Sequence, residues 1–324
     1  MKKLLSLVIL LSFFFGLCSC GGNKADNDET YIRDGNKIYF GRYPQTKVEA
    51  TETNGLASIE FDESTWKSYE YYIGSVQTDF MYYKDIDIDC NGICDYRGVY
   101  FSEYRPDLTG RNSSAEYSYQ DDNGYEINKI YWFSYDIIEW DVLNELNGKV
   151  LIIANLILDS QEYYSRMTAN RIDHNGGEGY ANNYELSNIR KWLNDDFYNT
   201  AFNGFKKEVI DVTTVDNSAN STGESSNIYA SNNTNDSFFL LSYKEFKKYC
   251  NDTKSQATVT EYAKSQGLYT YIYDDYSEKG NWWLRSPGYS LGFEAFRISY
   301  GGSYSEYFVS STFYGVRPAC WINL

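Results

Sequence analysis

The chain has 324 residues and a formal net charge of −16 at pH 7, and its 34 tyrosines help to bring the aromatic content to 18%. Binding to nucleic acid or to anionic lipid headgroups requires clustered lysine and arginine, so this composition excludes both classes of partner. Aromatic residues in such numbers exceed what a core requires. Many tyrosines are therefore expected at the surface, where the hydroxyl stays in water and the ring is free for contacts.

The first twenty residues have the pattern of a secretion signal. Lys2 and Lys3 precede an apolar stretch at 4–17, and the sequence Leu-Cys-Ser-Cys at 17–20 resembles the lipobox of bacterial lipoproteins. We expect residues 1–19 to be a signal peptide, Cys20 to be the lipidated residue, with acyl chains such as palmitate, and residues 20–36 to be a flexible tether. The expected location is the bacterial cell envelope, with the lipid anchor in a membrane. An ordinary signal peptide cleaved nearby is the alternative.

A single domain is predicted over residues 37–324. It opens with an apolar strand at 38–43, which Pro44 is expected to end. Residues 51–129 are predicted to be an elaboration of this domain. They lie before its next core strands, which are predicted at 131–143 and 149–158. The last of these runs is almost continuously apolar, which is typical of a buried strand.

A hairpin is predicted inside the elaboration, where Asn91 and Gly92 separate two stretches of alternating residues. Oxygen-bearing side chains surround this turn with the spacing D-x-D-x-N-G-x-x-D. In a looped backbone that spacing can hold Ca²⁺, the one metal that the sequence suggests. The candidate ligands are Asp87, Asp89, Asn91 and Asp95. Gly98 occupies the position of the bidentate glutamate of an EF-hand, so a plain hairpin is the alternative.

Two cysteines, Cys90 and Cys94, flank the same turn. An exported protein permits a disulfide between them. A zinc site is less favoured, because two thiols need further ligands and the only histidine, His174, is distant. That histidine follows no catalytic pattern, and its Gly-rich surroundings predict a solvated loop residue.

A helix is predicted after this loop, because Leu186, Ile189, Leu193 and Phe197 recur at helical spacing, with Trp192 beside them. Residues 216–236 are rich in Ser, Asn and Thr, which predicts a mobile loop. Residues 238–241 are predicted to form a short buried strand. Capping boxes are predicted at 242–245 and 258–261.

Residues 281–324 form a C-terminal module with two kinds of residue. Its ends are predicted to be a buried framework, comprising Trp282, Trp283, Arg285, Arg317 and Trp321. The middle is rich in Tyr, Ser and Gly, a composition suited to contact surfaces, and it predicts a ligand-binding face for a protein or a glycan. The residues of this predicted face are Tyr289, Ser303, Tyr304, Tyr307, Ser310 and Tyr314, with Ser311 beside them.

The sequences WWLRSPG at 282–288 and GVRPA at 315–319 resemble the C-terminal signature of a bacterial domain-of-unknown-function family, number 6273. Earlier segments fit the same family in order: YFGRYPQT at 39–46, IEWDVL at 138–143, NLILDSQEY at 155–163, IRKWLNDDFYNTAF at 189–202 and DSFFLLSYKE at 236–245. A weaker similarity is to formylglycine-generating-enzyme-type C-type-lectin folds, the sulfatase-modifying-factor type. The resemblance implies an α+β fold with mixed and antiparallel sheets and a few short helices, but no activity.

Enzyme templates mostly fail. One histidine makes a Ser-His-Asp or Cys-His triad improbable. Formylglycine chemistry would require a reactive cysteine pair near the C-terminus, where only Cys320 lies, far in sequence from Cys250. The acid pairs at 195–196 and 274–275 keep a carboxylate-based hydrolase or protein-modifying enzyme open, and a structural envelope lipoprotein is the third alternative. The sequence thus favours a binding protein without an organic cofactor.

Overall fold

The computed structural model describes residues 18–19, 31–73, 76–105, 119–174, 176–250, 252–271 and 274–324. Within these ranges the chain forms a ten-stranded sheet, a five-stranded sheet and three two-stranded sheets, with short helices between them. The predicted α+β class with antiparallel sheets is confirmed. Cys20 and most of the predicted signal peptide and tether lie outside the described residues. No helix of the described part is long and apolar enough to cross a membrane.

The strands, in chain order, are β1 (Cys18–Ser19), β2 (Ile32–Asp34), β3 (Lys37–Val48), β4 (Lys67–Ser68), β5 (Tyr71–Ile73), β6 (Val76–Thr78), β7 (Met81–Asp87), β8 (Tyr96–Phe101), β9 (Ile130–Leu146), β10 (Lys149–Ala154), β11 (Asp159–Ser160), β12 (Ile172–His174), β13 (Gly177–Gly179), β14 (Ile210–Asp211), β15 (Thr213–Val215), β16 (Thr234–Asp236), β17 (Trp282–Pro287), β18 (Glu294–Ile298), β19 (Tyr304–Phe308), β20 (Gly315–Val316) and β21 (Ala319–Asn323). The α-helices are α1 (Tyr119–Asp122), α2 (Asn188–Trp192), α3 (Tyr198–Ala201), α4 (Gly204–Glu208), α5 (Tyr243–Tyr249), α6 (Asp252–Ser255) and α7 (Glu261–Ser265). A π-helical segment, Leu193–Phe197, joins α2 to α3, and 3-10 turns lie at Ala219–Thr222 and Asp274–Tyr276.

The longest strand, β9, organises the large sheet. β8 and β10 follow one another along one edge of β9, while β3 runs along the other, and every pairing is antiparallel. β21 pairs with β10, so the last strand of the chain joins the same sheet as the first long strand. The elaboration joins this sheet through β7 and β8, which adds a small second core around Trp66 and Trp132.

The turn between β9 and β10 is the tight Asn-Gly hairpin of this fold. Asn147 and Gly148 both have positive φ, 53° and 76°, which is the requirement of a type I′ turn. The Asn91-Gly92 pair instead lies in a longer loop, 88–95, where the positive φ values fall on Cys90 and Gly92. The predicted hairpin is present, but its turn is a loop rather than a two-residue turn.

The start of the domain differs from the prediction in two respects. β2, within the predicted tether, pairs with the beginning of β3. Pro44 does not end β3, which continues to Val48. On one side of Pro44 the register of β3 against β9 shifts directly after it, and on the other side β3 has no partner there, because β2 pairs only with residues up to Tyr39. A proline on the unpaired edge of a strand, beside a bulge, costs no ladder hydrogen bond.

The helix predicted from periodicity is present, and Ile189, Leu193 and Phe197 are fully buried. The predicted capping box of α5 is confirmed, because the Ser242 hydroxyl and the Glu245 carboxylate each accept a backbone hydrogen bond of the other residue. The box at 258–261 is wrong by two residues, since Thr260 caps α7.

The five-stranded sheet has the order β11-β20-β17-β18-β19 and contains most of the C-terminal module. Trp282 and Trp283 of β17 are fully buried. β11 lies at one edge of this sheet, where Asp159 pairs with Val316. The C-terminal framework therefore fixes the backbone of Asp159, a residue far from it in sequence.

Candidate functional site

The main cavity of the described residues has a volume of about 480 Å³ and lies between β3, β7, β8, β11, α2 and α7. We call it the tyrosine pocket, and its walls include Tyr43, Tyr69, Tyr83, Asp159, Tyr164 and Tyr262. A cavity of this size suits a small ligand or one or two residues of a larger one.

Asp159 supplies the buried carboxylate of the pocket. The Tyr43 hydroxyl donates to its Oδ2 at 2.6 Å, and the Ser160 backbone N–H and the Gln161 side chain donate to Oδ1 at 2.6 and 3.2 Å. Burial raises the pKa of Asp159 to about 6, although these bonds and the charges of Arg105 and Arg97 oppose the shift. The carboxyl group therefore titrates near pH 6 rather than near pH 4.

Tyr43 reaches Asp159 because of a bulge in β3. The register against β9 shifts between Tyr39 and Arg42, around Gly41, whose φ is +72°. A Cβ at Gly41 would lie 2.3 Å from the Phe202 ring, so only glycine fits here.

Arg97 of β8 forms the second polar centre. Its Nε and Nη2 donate to the two oxygens of Asp85 at 2.6 and 2.7 Å, a bidentate pair. Its Nη1 donates to the Tyr262 hydroxyl at 3.3 Å, which is also 2.9 Å from the Tyr69 hydroxyl. The guanidinium lies 4.4 Å from the ring centre of Tyr83.

A buried ion pair lies alongside, formed by Arg105 and Glu162 at 2.6 Å. The Arg105 guanidinium lies 3.6 Å from the ring centre of Tyr71 and also donates to the carbonyl oxygen of Ser160 at 2.8 Å. Glu162 is thereby neutralised by a cation behind the wall, which leaves Asp159 without a cation in hydrogen-bonding contact among the described residues.

His174 of β12 also lines the pocket, and only 4% of its surface is exposed. The prediction that it is solvated is wrong, because β12 pairs with β13 and packs the imidazole edge-on against the Tyr164 ring, with ring centres 4.3 Å apart. Neither ring nitrogen makes a well-aligned hydrogen bond among the described residues, although backbone groups of Leu186 and Tyr180 lie near the imidazole. Burial and the charge of Arg166 lower the pKa of His174, and the backbone of Leu186 and Tyr180 only partly opposes this. The imidazole is therefore neutral near pH 7 and keeps one acceptor nitrogen.

The mouth of the pocket is formed by the helix after His174. Trp192 is partly exposed and lines the cavity together with Lys191 and Asp196. Although Asp196 is exposed as a residue, its carboxyl group is partly desolvated at the pocket, which raises its pKa, and the nearby charges of Asp195 and Glu70 add to the shift. Asp195 itself is exposed and does not line the pocket. The predicted acid pair therefore does not form a paired catalytic site.

The calcium candidates lie together at the end of β7 and in the loop 88–95 that follows it. Ligand atoms of Asp87, Asp89 and Asp95 all lie within 4.8 Å of one another. The Asp87 carboxylate accepts from the backbone N–H groups of Asn91 and Gly92 at 3.1 and 2.7 Å. The backbone is thus looped, as the calcium hypothesis requires, and Cys90 and Cys94 are disulfide-bonded.

The predicted C-terminal face divides into exposed and buried residues. Tyr289 and Tyr304 are 39% and 47% exposed, and Ser303 is also exposed. The surface position predicted for Tyr314 is wrong, since it is 2% exposed and its ring packs edge-on against Trp283 at 4.8 Å.

The same correction applies to Ser310 and Ser311, which are buried, while Tyr307 is partly buried against the core. Ser310, Ser311 and Tyr314 lie between β19 and β20, where every residue of 309–314 is buried, and composition alone does not show that this segment packs into the core.

The framework arginines are buried, as predicted. Arg285 donates to the carbonyl oxygens of Leu240 and Asp216 at 2.7 and 3.0 Å, and it pairs with Glu245. The segment predicted to be a mobile loop supplies a further buried partner, the Asn217 side chain, 3.1 Å from Arg285 Nε. Trp321 is only partly buried.

Thiol chemistry has no support in this fold. Cys250 and Cys320 are buried free cysteines, and burial raises the pKa of Cys250 to about 11 and that of Cys320 well above its ordinary value. Neither thiol is a reactive thiolate.

Sequence reasoning missed the tyrosine pocket, although several of its residues lie in the segments that carry the family resemblance. Tyr43 lies in YFGRYPQT, Asp159 in NLILDSQEY, and Trp192 and Asp196 in IRKWLNDDFYNTAF. The available signal was Asp159, the acid that directly follows the apolar run at the start of NLILDSQEY.

A family model described as Domain of unknown function (DUF6273) matches residues 147–324. No curated protein and no solved structure matches the chain. The matched part contributes Asp159, His174 and Tyr262 to the tyrosine pocket, whereas Tyr43 and Arg97 come from the preceding part.

Proposed function

The chain belongs to the DUF6273 family, and on this premise we propose that the protein is a recognition module that binds a polar ligand, a glycan or part of a protein, in the tyrosine pocket. The observation that carries the proposal is the pocket itself, in which a buried carboxylate and a buried imidazole line one cavity together with several tyrosines. Aromatic walls with a few convergent polar groups are typical of ligand sites.

The side chains of the pocket are held in place before any ligand binds. Its aromatic side chains are packed against one another, as in the edge-on contact of Tyr43 with Tyr262, whose ring centres are 5.7 Å apart. The hydroxyls of Tyr43 and Tyr69 are fixed by hydrogen bonds. Preorganised contacts of this kind lower the entropic cost of binding.

Only the exposed residues of the predicted C-terminal face are part of the proposal. Tyr289, Ser303 and Tyr304 are the exposed residues that can extend contacts to a large ligand, and Lys247 lies 5.5 Å from the Tyr304 ring centre. Tyr314 and Ser310 support this surface from within the core.

A carboxylate-based hydrolase is the second candidate, favoured by one observation. Asp159 is buried, and its pKa of about 6 would let it exchange a proton near neutral pH. Recognition is the better-supported function, because Asp159 is held by three hydrogen-bond donors and only one member of the predicted acid pair, Asp196, lines the pocket, at its mouth.

The cellular setting is part of the proposal. The lipobox-like sequence supports export and lipidation at Cys20, and the acidic Gly21–Thr30 segment supports a tether between membrane and domain. Cys20→Ser is expected to release the protein from the membrane fraction, and continued lipid labelling of the variant would reject this site. We also propose the C-type-lectin-like type of fold, which the strands on either side of Arg317 and Pro318 support.

A glycan and peptide array probed with the full-length protein tests the recognition proposal. Trp192→Ala, at the mouth of the pocket, should lose at least tenfold in affinity for any bound array member. Trp321→Ala is the matched control, because Trp321 is also partly buried but lies outside the pocket. Equal binding by wild type and Trp192→Ala, or silence of the whole array, would overturn the proposal.

A further inference from the structure

The charges lining the tyrosine pocket do not balance. Glu162 is paired with Arg105, and Arg97 is paired with Asp85. Each of these two ion pairs is neutral, so neither contributes to the net charge of the pocket lining. The lining carboxylates that remain are Glu70, Asp159, Asp173 and Asp196, and the lining cations that remain are Arg166 and Lys191. Two negative charges are therefore left over among the described residues.

The interior of the pocket is also rich in hydrogen-bond acceptors. A carboxylate has about four acceptor positions, and Asp159 uses three of them within the protein. Neutral His174 adds an acceptor nitrogen to which no described residue donates a well-aligned hydrogen bond. The groups that remain available therefore suit a ligand rich in N–H donors.

The aromatic walls already hold cations of the protein itself. The guanidinium of Arg97 lies 4.4 Å from the Tyr83 ring centre, and that of Arg105 lies 3.6 Å from the Tyr71 ring centre. Tyrosine rings attract a cation placed over their faces, and more strongly when water is excluded. Tyr43, Tyr69 and Tyr164 also line the cavity.

We propose that the tyrosine pocket takes the ammonium or guanidinium group of a small organic ligand, with Asp159 as its counterion and His174 as a neutral acceptor. This inference rests on the proposed function, since it assumes that the pocket is the ligand site, and it specifies the ligand's chemistry. A guanidinium offers five donors and no acceptor, and an ammonium offers three, which matches the acceptor surplus.

Ionisation of Asp159 is coupled to the ligand. The groups that face this carboxyl are Tyr43 from β3, Arg97 from β8, Tyr262 from α7, and Arg105 and Tyr71 from the elaboration. A bound cation favours the ionised carboxylate, so uptake near pH 6 should release a proton, and affinity should fall as the pH is lowered from 7 to 5.

Isothermal titration of the full-length protein with matched probes tests the inference. Nα-Acetyl-L-arginine amide and Nα-acetyl-L-citrulline amide have nearly the same shape and differ only in the charge of the side chain, because the acetyl and amide groups leave no other charge. Glucosamine and N-acetylglucosamine differ in the same way on a sugar. The charged member of at least one pair should bind at least tenfold more tightly than its neutral partner, and the pair that responds identifies the source of the cation.

Variants locate the binding. Asp159→Asn should abolish the preference for the charged probe and the release of a proton. Asp196→Lys changes an exposed side chain at the mouth, so the variant is expected to fold. It should weaken the binding of the charged probe severalfold. Asp195→Lys, the neighbouring exposed acid outside the pocket, should have no effect.

Each outcome decides the inference. If the neutral probe of both pairs binds as well as the charged one, or if Asp195→Lys and Asp196→Lys act alike, the inference is wrong. If the charged probes do not bind, while the binding of a neutral array member is still lost in Trp192→Ala, the inference fails and the recognition function stands. If neither the probes nor any array member binds, both fail.

Discussion

Arg317 donates through Nε to the carbonyl oxygen of Ala154 at 2.9 Å, and this bond connects the junction of β20 and β21 to the end of β10. A second bond, from Nη1, reaches the carbonyl oxygen of Lys254 at 2.7 Å. The guanidinium is buried and lies 4.8 Å from the ring centre of Trp282. One side chain thus joins three segments that are remote in sequence.

Arg317→Ala should lower the free energy of unfolding by about 3 kcal/mol, because two buried carbonyls lose their donor. Arg317→Lys should recover only part of the loss, since an ammonium lacks the planar fork that reaches both oxygens. Urea unfolding of the three proteins measures the differences. Wild-type stability in the alanine variant would show that these bonds contribute nothing net.

The titration of Asp159 should make stability depend on pH. The pKa is about 6 in the folded protein and lower in the unfolded chain, so the folded state binds more protons between these values. Stability contributed by this group is present at low pH and is lost as the pH rises from about 4 to about 6.

Asp159→Asn removes this loss. The difference in free energy of unfolding between Asp159→Asn and wild type should shift by about 3 kcal/mol in favour of the variant between pH 4 and pH 7. His174, whose pKa is lowered, acts in the opposite direction but is present in both proteins and cancels. A difference that does not vary with pH would place an ordinary pKa on Asp159.

The C-terminal module should respond unequally to alanine substitution. Trp283→Ala and Tyr314→Ala remove buried rings that contact each other, and each should cost about 3 to 5 kcal/mol. Tyr304→Ala, on the exposed side, should cost less than about 1 kcal/mol. Thermal unfolding of these variants provides the comparison. A large loss in Tyr304→Ala would assign that residue to the core as well.

The loop 88–95 allows a direct test for calcium. If Asp87, Asp89 and Asp95 hold Ca²⁺, millimolar Ca²⁺ should raise the melting temperature by binding only the native state. The rise should disappear in Asp89→Ala, whose exposed side chain makes this a mild substitution. Mg²⁺ is the control, because it accepts such a flexible oxygen set reluctantly. An unchanged melting temperature at all Ca²⁺ concentrations leaves a loop stabilised by its disulfide and its own hydrogen bonds.

Local features of the sequence were sufficient for some of the elements and for part of the core. The spacing of Ile189, Leu193 and Phe197 predicts a buried helix face, and Ser242 with Glu245 predicts the start of α5. Such signals depend on neighbours within a few residues, where backbone geometry is the same in any fold. The α+β class follows from the same short-range patterns.

Only the tertiary structure decided the candidate site. Tyr43, Arg97, Asp159, His174 and Tyr262 are separated by long stretches of chain, and they meet because β3, β8, β11, β12 and α7 border one cavity. No local pattern distinguishes a solvated histidine from a buried one, or the exposed Tyr304 of β19 from the buried Tyr314 that follows this strand. Those properties depend on which surface packs against each residue, and long-range pairings determine that surface.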